Sequence, residues 1–114
     1  MHILEIKNKQ IQIAKNRFPT LMNWQDAKSA CEALGEGWRL PNREELNEMY
    51  KNKELFEGFT SGEPEEHGYY WSSSDDCEGD NTLAWGQDLS SNEYYANYYP
   101  KDFLFWVRVL RSMN

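Results

Sequence analysis

The side chains best suited to recognition chemistry fall late in the chain. Ser90 to Asp102 reads Ser-Ser-Asn-Glu-Tyr-Tyr-Ala-Asn-Tyr-Tyr-Pro-Lys-Asp, a run of phenols, amides and hydroxyls. Tyrosine offers a rigid amphipathic ring at low entropic cost, and Ser and Asn add adaptable hydrogen bonding, the mixture on which antibody paratopes rely. Ser91, Asn92, Tyr94, Tyr95, Asn97, Tyr98, Tyr99 and Asp102, with Trp85 on the preceding predicted strand, are the candidate ligand-binding residues. The competing reading is an ordinary half-buried strand, where Tyr is equally at home.

Other groups carry less. Asp75, Asp76, Glu78, Asp80 and Asn81 are hard oxygen ligands of the type calcium takes, but an acidic loop more often serves to keep a protein soluble. No metal site and no cofactor are assigned. The two histidines, His2 and His67, have no nucleophile-and-acid setting, so no catalytic residue is assigned and the chain reads as a non-enzyme. Arg39, Arg108 and Arg111 form either an anion pocket or, the stronger reading, structural bridges to carboxylates such as Glu44 or Glu45. Cys31 falls on a helix face, where Cys is usually a small buried hydrophobe. A disulfide from it to Cys77 is the weaker alternative.

Composition narrows the function classes. The 114 residues suit one domain spanning 1–114 with its own core. A net charge of −7 and a pI near 4.8 repel a phosphate backbone, so nucleic acid is a poor partner. No apolar run approaches the ~18 residues of a membrane span. His2 to Gln12 lacks the apolar core of a signal peptide, which makes a cytoplasmic location the expectation. Five Trp and an aromatic content of 15% point to a core or binding face built on rings.

The elements that must position these groups follow from spacing. Alternation at Ile3–Ile6 and Ile11–Ile13 predicts a hairpin, with a tight turn at Asn8-Lys9. Ala14 to Leu21 is a connector. Asn23 caps a helix over Trp24–Leu34, whose apolar stripe is Trp24, Ala27, Cys31 and Leu34. Gly35 ends it in the left-handed conformation. Trp38 and Leu40 then point one way and Arg39 the other. Asn42 and Glu45 read as a capping box for a second helix, from about Arg43 to Lys53, with Leu46, Met49 and Tyr50 buried. Leu55, Phe56 and Phe59 anchor a return to the core, and Thr60 to Gly68 is a surface loop. Strands are predicted at Tyr69–Ser73, Leu83–Leu89, Glu93–Tyr99 and, most clearly, Phe103–Arg111. In the last, Phe105, Val107 and Val109 share one face and Trp106, Arg108 and Leu110 the other. Helices followed by antiparallel strands define an α+β class.

Five ordered motifs carry a family resemblance across nearly the whole chain. Asn23-Trp24-Gln25-Asp26-Ala27 with Cys31, Trp38-Arg39-Leu40-Pro41 with Glu44-Glu45-Leu46, Tyr70-Trp71-Ser72-Ser73-Ser74, Ala84-Trp85, and Val107-Arg108-Val109-Leu110-Arg111 together resemble the bacterial DUF1566 proteins. Leu110 stands where Val is usual. The resemblance implies a C-type-lectin-like fold, two helices packed on a twisted antiparallel sheet with long loops. This is the broad group of formylglycine-generating-enzyme-like domains and of retroelement-diversified lectin-fold proteins. The latter also place variable Asn, Tyr, Ser and Asp residues late in the chain, which makes 90–102 a candidate variable region. The Glu-Pro-Asn and Trp-Asn-Asp signatures of calcium-dependent lectins are absent, Glu63-Pro64-Glu65 being the nearest approach. The cysteine pair of the formylglycine-generating enzymes has no counterpart. A fold hosts many functions, and the resemblance implies a non-catalytic module recognising a protein or glycan ligand. The alternatives are a degenerate formylglycine-generating-enzyme-like protein with residual metal-dependent activity, and a structural subunit of a surface or phage assembly.

Overall fold

The computed structural model describes residues 2–6, 8–14, 17–52, 68–89 and 95–113. The anchors at Leu55, Phe56 and Phe59, the Thr60–His67 stretch of the predicted loop and Glu93 lie outside these residues. Strands β1 (His2–Ile6) and β2 (Lys9–Ile13) form the expected hairpin. Ile6 pairs with Lys9 across the turn, so Lys9 is a strand residue and the predicted Asn8-Lys9 turn sits one residue too late. Asn8 takes φ +64°, a left-handed conformation that Asn tolerates.

Helix α1 (Trp24–Leu34) has the predicted bounds. The Asp26 N–H donates to Asn23 Oδ1 at 2.8 Å, and Gly35 ends the helix at φ +66°. Trp24, Ala27 and Cys31 are buried, whereas Leu34 is 46% exposed, so the apolar stripe is one residue shorter than its spacing suggested. Burial, aided by Glu32, pushes the Cys31 thiol up to about 11. Cys31 and Cys77 are both free thiols.

Helix α2 (Arg43–Lys51) stops two residues before the predicted end. Asn52 closes it, with both its N–H and its side-chain amide donating to the Glu48 carbonyl. The capping box is present in both directions: the Glu45 N–H donates to Asn42 Oδ1 and the Asn42 N–H to Glu45 Oε1, each at 2.8 Å. The same carboxylate receives the Arg39 fork at 2.7 and 2.8 Å. Burial by itself would raise the Glu45 carboxyl. The Arg39 hydrogen bonds, the Asn42 N–H and the charges of Arg39 and Lys9 outweigh it and hold the group below its ordinary value.

Two antiparallel sheets carry the rest. One has the order β1-β2-β6, where β6 is Leu110–Ser112; the other has the order β3-β4-β5, formed by Tyr69–Trp71, Leu83–Asp88 and Ala96–Pro100. The predicted strand over Phe103–Arg111 is not a continuous ladder. Residues 105–110 change partner almost every step. Phe105 exchanges both backbone hydrogen bonds with Met22, Trp106 bonds Tyr69 and Trp71, and Leu110 exchanges with Arg39. Between them, Phe18 and Ala14 donate to the Val107 and Val109 carbonyls. Ala14 and Phe18 of the connector are thus bonded alongside this segment.

The predicted division into faces holds. Phe105, Val107 and Val109 pack with Trp24, Ala27, Cys31, Leu40 and Trp71, while Trp106 and Leu110 pack with Ile11, Ile13, Leu46, Met49 and Trp85. Arg108 is buried on the second side and donates from Nε to the Ala14 carbonyl at 2.8 Å. Arg111 donates to Gln12 and lies over the Trp38 ring. The three arginines are therefore structural and form no shared anion pocket.

Two outcomes follow. Glu45→Ala removes a cap and leaves Arg39 without its carboxylate, so chemical denaturation should show a loss of about 2–4 kcal/mol. Because the folded-state pKa of Glu45 is depressed, its contribution is present above the unfolded value, about 4.3, and is lost as pH falls through the lower folded value. Glu45→Gln should correspondingly flatten the acid limb of a stability–pH profile. Gly86 also leaves no room for a side chain: a Cβ there would lie 2.6 Å from Phe105 Cε2. Gly86→Ala should cost about 1–3 kcal/mol in the same assay.

Candidate functional site

Strand β5 carries most of the described candidate residues, and its period-2 geometry separates them onto two surfaces. Tyr98 faces one way, towards Trp85, its cross-strand partner. The two rings meet edge to face at 5.3 Å. The Arg43 guanidinium lies 3.8 Å from the Trp85 ring centre and donates to the Tyr98 hydroxyl at 3.3 Å. That hydroxyl donates in turn to Asp76 at 3.2 Å. Trp85 is only 6% exposed, so it supports Arg43 and offers no open ring face for a ligand. Beside this pair, Asn42, Arg43, Glu44, Asn47 and Ser74 line an open polar cleft of about 490 Å³.

Tyr99 faces the other way. Its ring contacts Tyr69 at 5.4 Å and Phe105 at 5.3 Å, and the Phe105 ring lies directly over Gly86. Tyr69, Tyr99, Phe103, Leu104 and Phe105 line an aromatic groove of about 450 Å³. Burial, then a hydrogen bond and charge interaction with Tyr69 and the charge of Asp88, push the Tyr99 phenol up to about 12. Phe103 and Leu104 are 46% and 54% exposed. Both fell within the predicted strand over Phe103–Arg111, and neither was among the candidate ligand-binding residues. The signal was Pro100-Lys101-Asp102, a turn closed by the Phe103 N–H to the Pro100 carbonyl that turns these side chains to the surface.

Tyr95 and Asp102 are exposed. Ser91, Asn92 and Tyr94 lie outside the described residues. Asn97 has a local task. The bonds Asp88 N–H to Tyr95 carbonyl and Lys101 N–H to Thr82 carbonyl turn the odd-numbered backbone groups of β5 towards β4. Those of Ala96, Tyr98 and Pro100 consequently face the open edge. Pro100 has no N–H, and the Tyr98 N–H donates to Asn97 Oδ1 at 2.8 Å. The edge is blunted against a further strand.

The acidic loop directs its carboxylates elsewhere. Asp75 pairs with Lys101 at 3.1 Å, Asp76 accepts from Tyr98, and Asp80 accepts from the Thr82 N–H and hydroxyl. The Thr82 hydrogen bonds hold the Asp80 carboxyl below its usual range. Among the described residues no group of three or more His, Cys, Asp or Glu side chains is arranged to hold a metal ion. No described helix is long and apolar enough to cross a membrane.

This architecture is that of the C-type-lectin-like domains. The crystal structure of EMS16, an antagonist of the collagen receptor integrin α2β1 (GPIa/IIa), is similar with a TM-score of 0.56 over 97% of each chain, at 13% sequence identity. Residues 7–111 match the model of the Lcl C-terminal domain, and the chain belongs to that family. The family is related to the DUF1566 proteins that the motifs resemble. No curated protein gives a match to the sequence.

Removing the Asn97 amide should free the Tyr98 N–H at the sheet edge. Asn97→Ala is expected to raise concentration-dependent self-association in light scattering, with a melting temperature lowered by only a few degrees, as for an exposed position.

Proposed function

We propose that this domain is a non-catalytic recognition module that binds a protein ligand through the outer surface of β5 and the turn after it. The observation that carries the reading is the aromatic groove. In a chain of mean hydropathy −0.89, Phe103 and Leu104 stand exposed beside Tyr99, Tyr69 and Phe105. Exposed apolar side chains gathered at one place mark interaction surfaces, and aromatic residues are the usual anchors of binding energy. The blunted backbone edge leaves side chains as the means of contact. EMS16, whose fold is similar, antagonises a protein receptor, which supports a protein ligand. The largely apolar wall suits a protein side chain better than a sugar, whose hydroxyls need polar partners.

The test is selection from a displayed peptide library, run beside a glycan array. Selected peptides should lose at least about tenfold in affinity to Phe103→Ala and to Tyr99→Ala, as hot-spot truncation predicts. Phe103→Ala, at an exposed site, should melt within a few degrees of the parent. Array glycans that bind and are lost with the same two substitutions would assign the groove to sugar instead. Binding indifferent to both substitutions would overturn the site.

A further inference from the structure

The polar cleft at the start of α2 is a second, unlike surface, and apart from the Glu44 carboxylate its lining side chains offer hydrogen-bond donors. Three of its side chains have their acceptor oxygens occupied from within the protein. Asn42 Oδ1 takes the Glu45 N–H at 2.8 Å, Ser74 Oγ takes the Arg43 N–H at 2.9 Å, and Asn47 Oδ1 takes Gln87 Nε2 at 3.1 Å. Each keeps its donor as well: the carboxamide N–H groups of Asn42 and Asn47, and the Ser74 hydroxyl proton. Among the described residues none of these donors has a partner.

Arg43 completes the set. Its face rests on Trp85, one Nη donates to the Tyr98 hydroxyl, and the rest of the fork has no acceptor among the described residues. The two strongest donors are held by matched periodicities. Trp85 and Gln87, two apart on β4, share one face of the strand, and Arg43 and Asn47, four apart, share one face of α2. Each buried β4 side chain thus orients one helical donor. The fully buried Gln87 carboxamide closes the wall behind Asn47, with its own Oε1 unpaired.

We propose that this cleft is a metal-free binding site for a carboxylate-bearing small ligand, held by the Arg43 fork and the Asn42, Asn47 and Ser74 donors. An ionised carboxylate offers only acceptors, the complement of the donors gathered here, and a stacked guanidinium matches its planar geometry. Glu44 is the one carboxylate among the described lining residues. Together with the net charge of −7 it opposes a phosphate dianion more than a monoanion. The backbone N–H groups of Arg43 and Glu45 are already bonded, so neither is left to the ligand.

Titration of the ¹⁵N-labelled domain tests this, following the side-chain signals of Asn42, Asn47 and Arg43. The probes are N-acetylglycine, gluconate, N-acetylglycinamide and inorganic phosphate. At least one carboxylate should shift these signals saturably in the millimolar range, and the neutral amide should bind at least about tenfold more weakly. The tighter of the two carboxylates identifies a peptide-like or a sugar-acid source. Arg43→Lys, which keeps the charge but loses the fork, and Asn47→Ala should each weaken binding several-fold, while Phe103→Ala leaves it unchanged. An equal response to the neutral amide, tighter binding of phosphate than of either carboxylate, or indifference to both cleft substitutions would overturn the assignment. The aromatic groove stands or falls separately, since its variants do not touch this cleft.

Discussion

Six consecutive residues, Phe105 to Leu110, are buried on both sides, and the rest of the domain is arranged around what that requires. A backbone out of contact with water must still satisfy its N–H and C=O groups. Here the partners come from separate stretches: Ala14, Phe18 and Met22, then Arg39, then Tyr69 and Trp71. Those stretches are held in place by the needs of this one segment. Its side chains divide two clusters of buried residues, so it also acts as the wall between two halves of the core. Arg108 lies in that wall with its guanidinium on a backbone carbonyl, which shows how polar demand is met even there.

The motifs that carried the family resemblance turn out to be one another's contacts. The Trp24 indole donates to the Ser72 carbonyl, and the Trp71 indole to the Met22 carbonyl. Ser73 N–H donates to the Pro41 carbonyl, the Ser72 hydroxyl to the Trp85 carbonyl, and Arg39 exchanges bonds with Leu110. Tryptophan gains a second use in this acidic chain. Among the described residues, four of the five indole rings have a cation over them: Lys28 and Lys101 at Trp24, Arg111 at Trp38, Arg43 at Trp85 and Arg17 at Trp106. The scarcer charge therefore covers aromatic edges of the core, where long aliphatic stems bury well.

The two candidate surfaces follow from the geometry of one strand. One strand, β5, contributes Tyr99 to an aromatic groove and Tyr98 to a hydrogen-bonded network with Arg43 and Asp76, because successive side chains leave opposite faces of a sheet. Its backbone edge is closed by Pro100 and by Asn97 reaching its own neighbour. Two surfaces of unlike chemistry, one apolar and one rich in donors, stand on the two sides of a strand that adds no pairing of its own.

Local chemistry was legible in the residues. The Asn23 cap, the Gly35 stop, the Asn42–Glu45 box and the alternation of Phe105 to Leu110 each depend on neighbours within a turn of helix or along one strand, so spacing determined them. The ends of the elements and the fate of individual candidates depended on residues far away. Trp85 became a buried support because Arg43, from a helix some forty positions earlier, covers it. Asn97 became an edge cap because β5 has no neighbour beyond it among the described strands. Phe103 and Leu104 left the strand pattern for the surface because the turn after Pro100 ends β5 before them, and the ladder at 105–109 broke because its partners arrive from several elements. Periodicity determines which way a side chain points; only the packed chain decides what waits for it there.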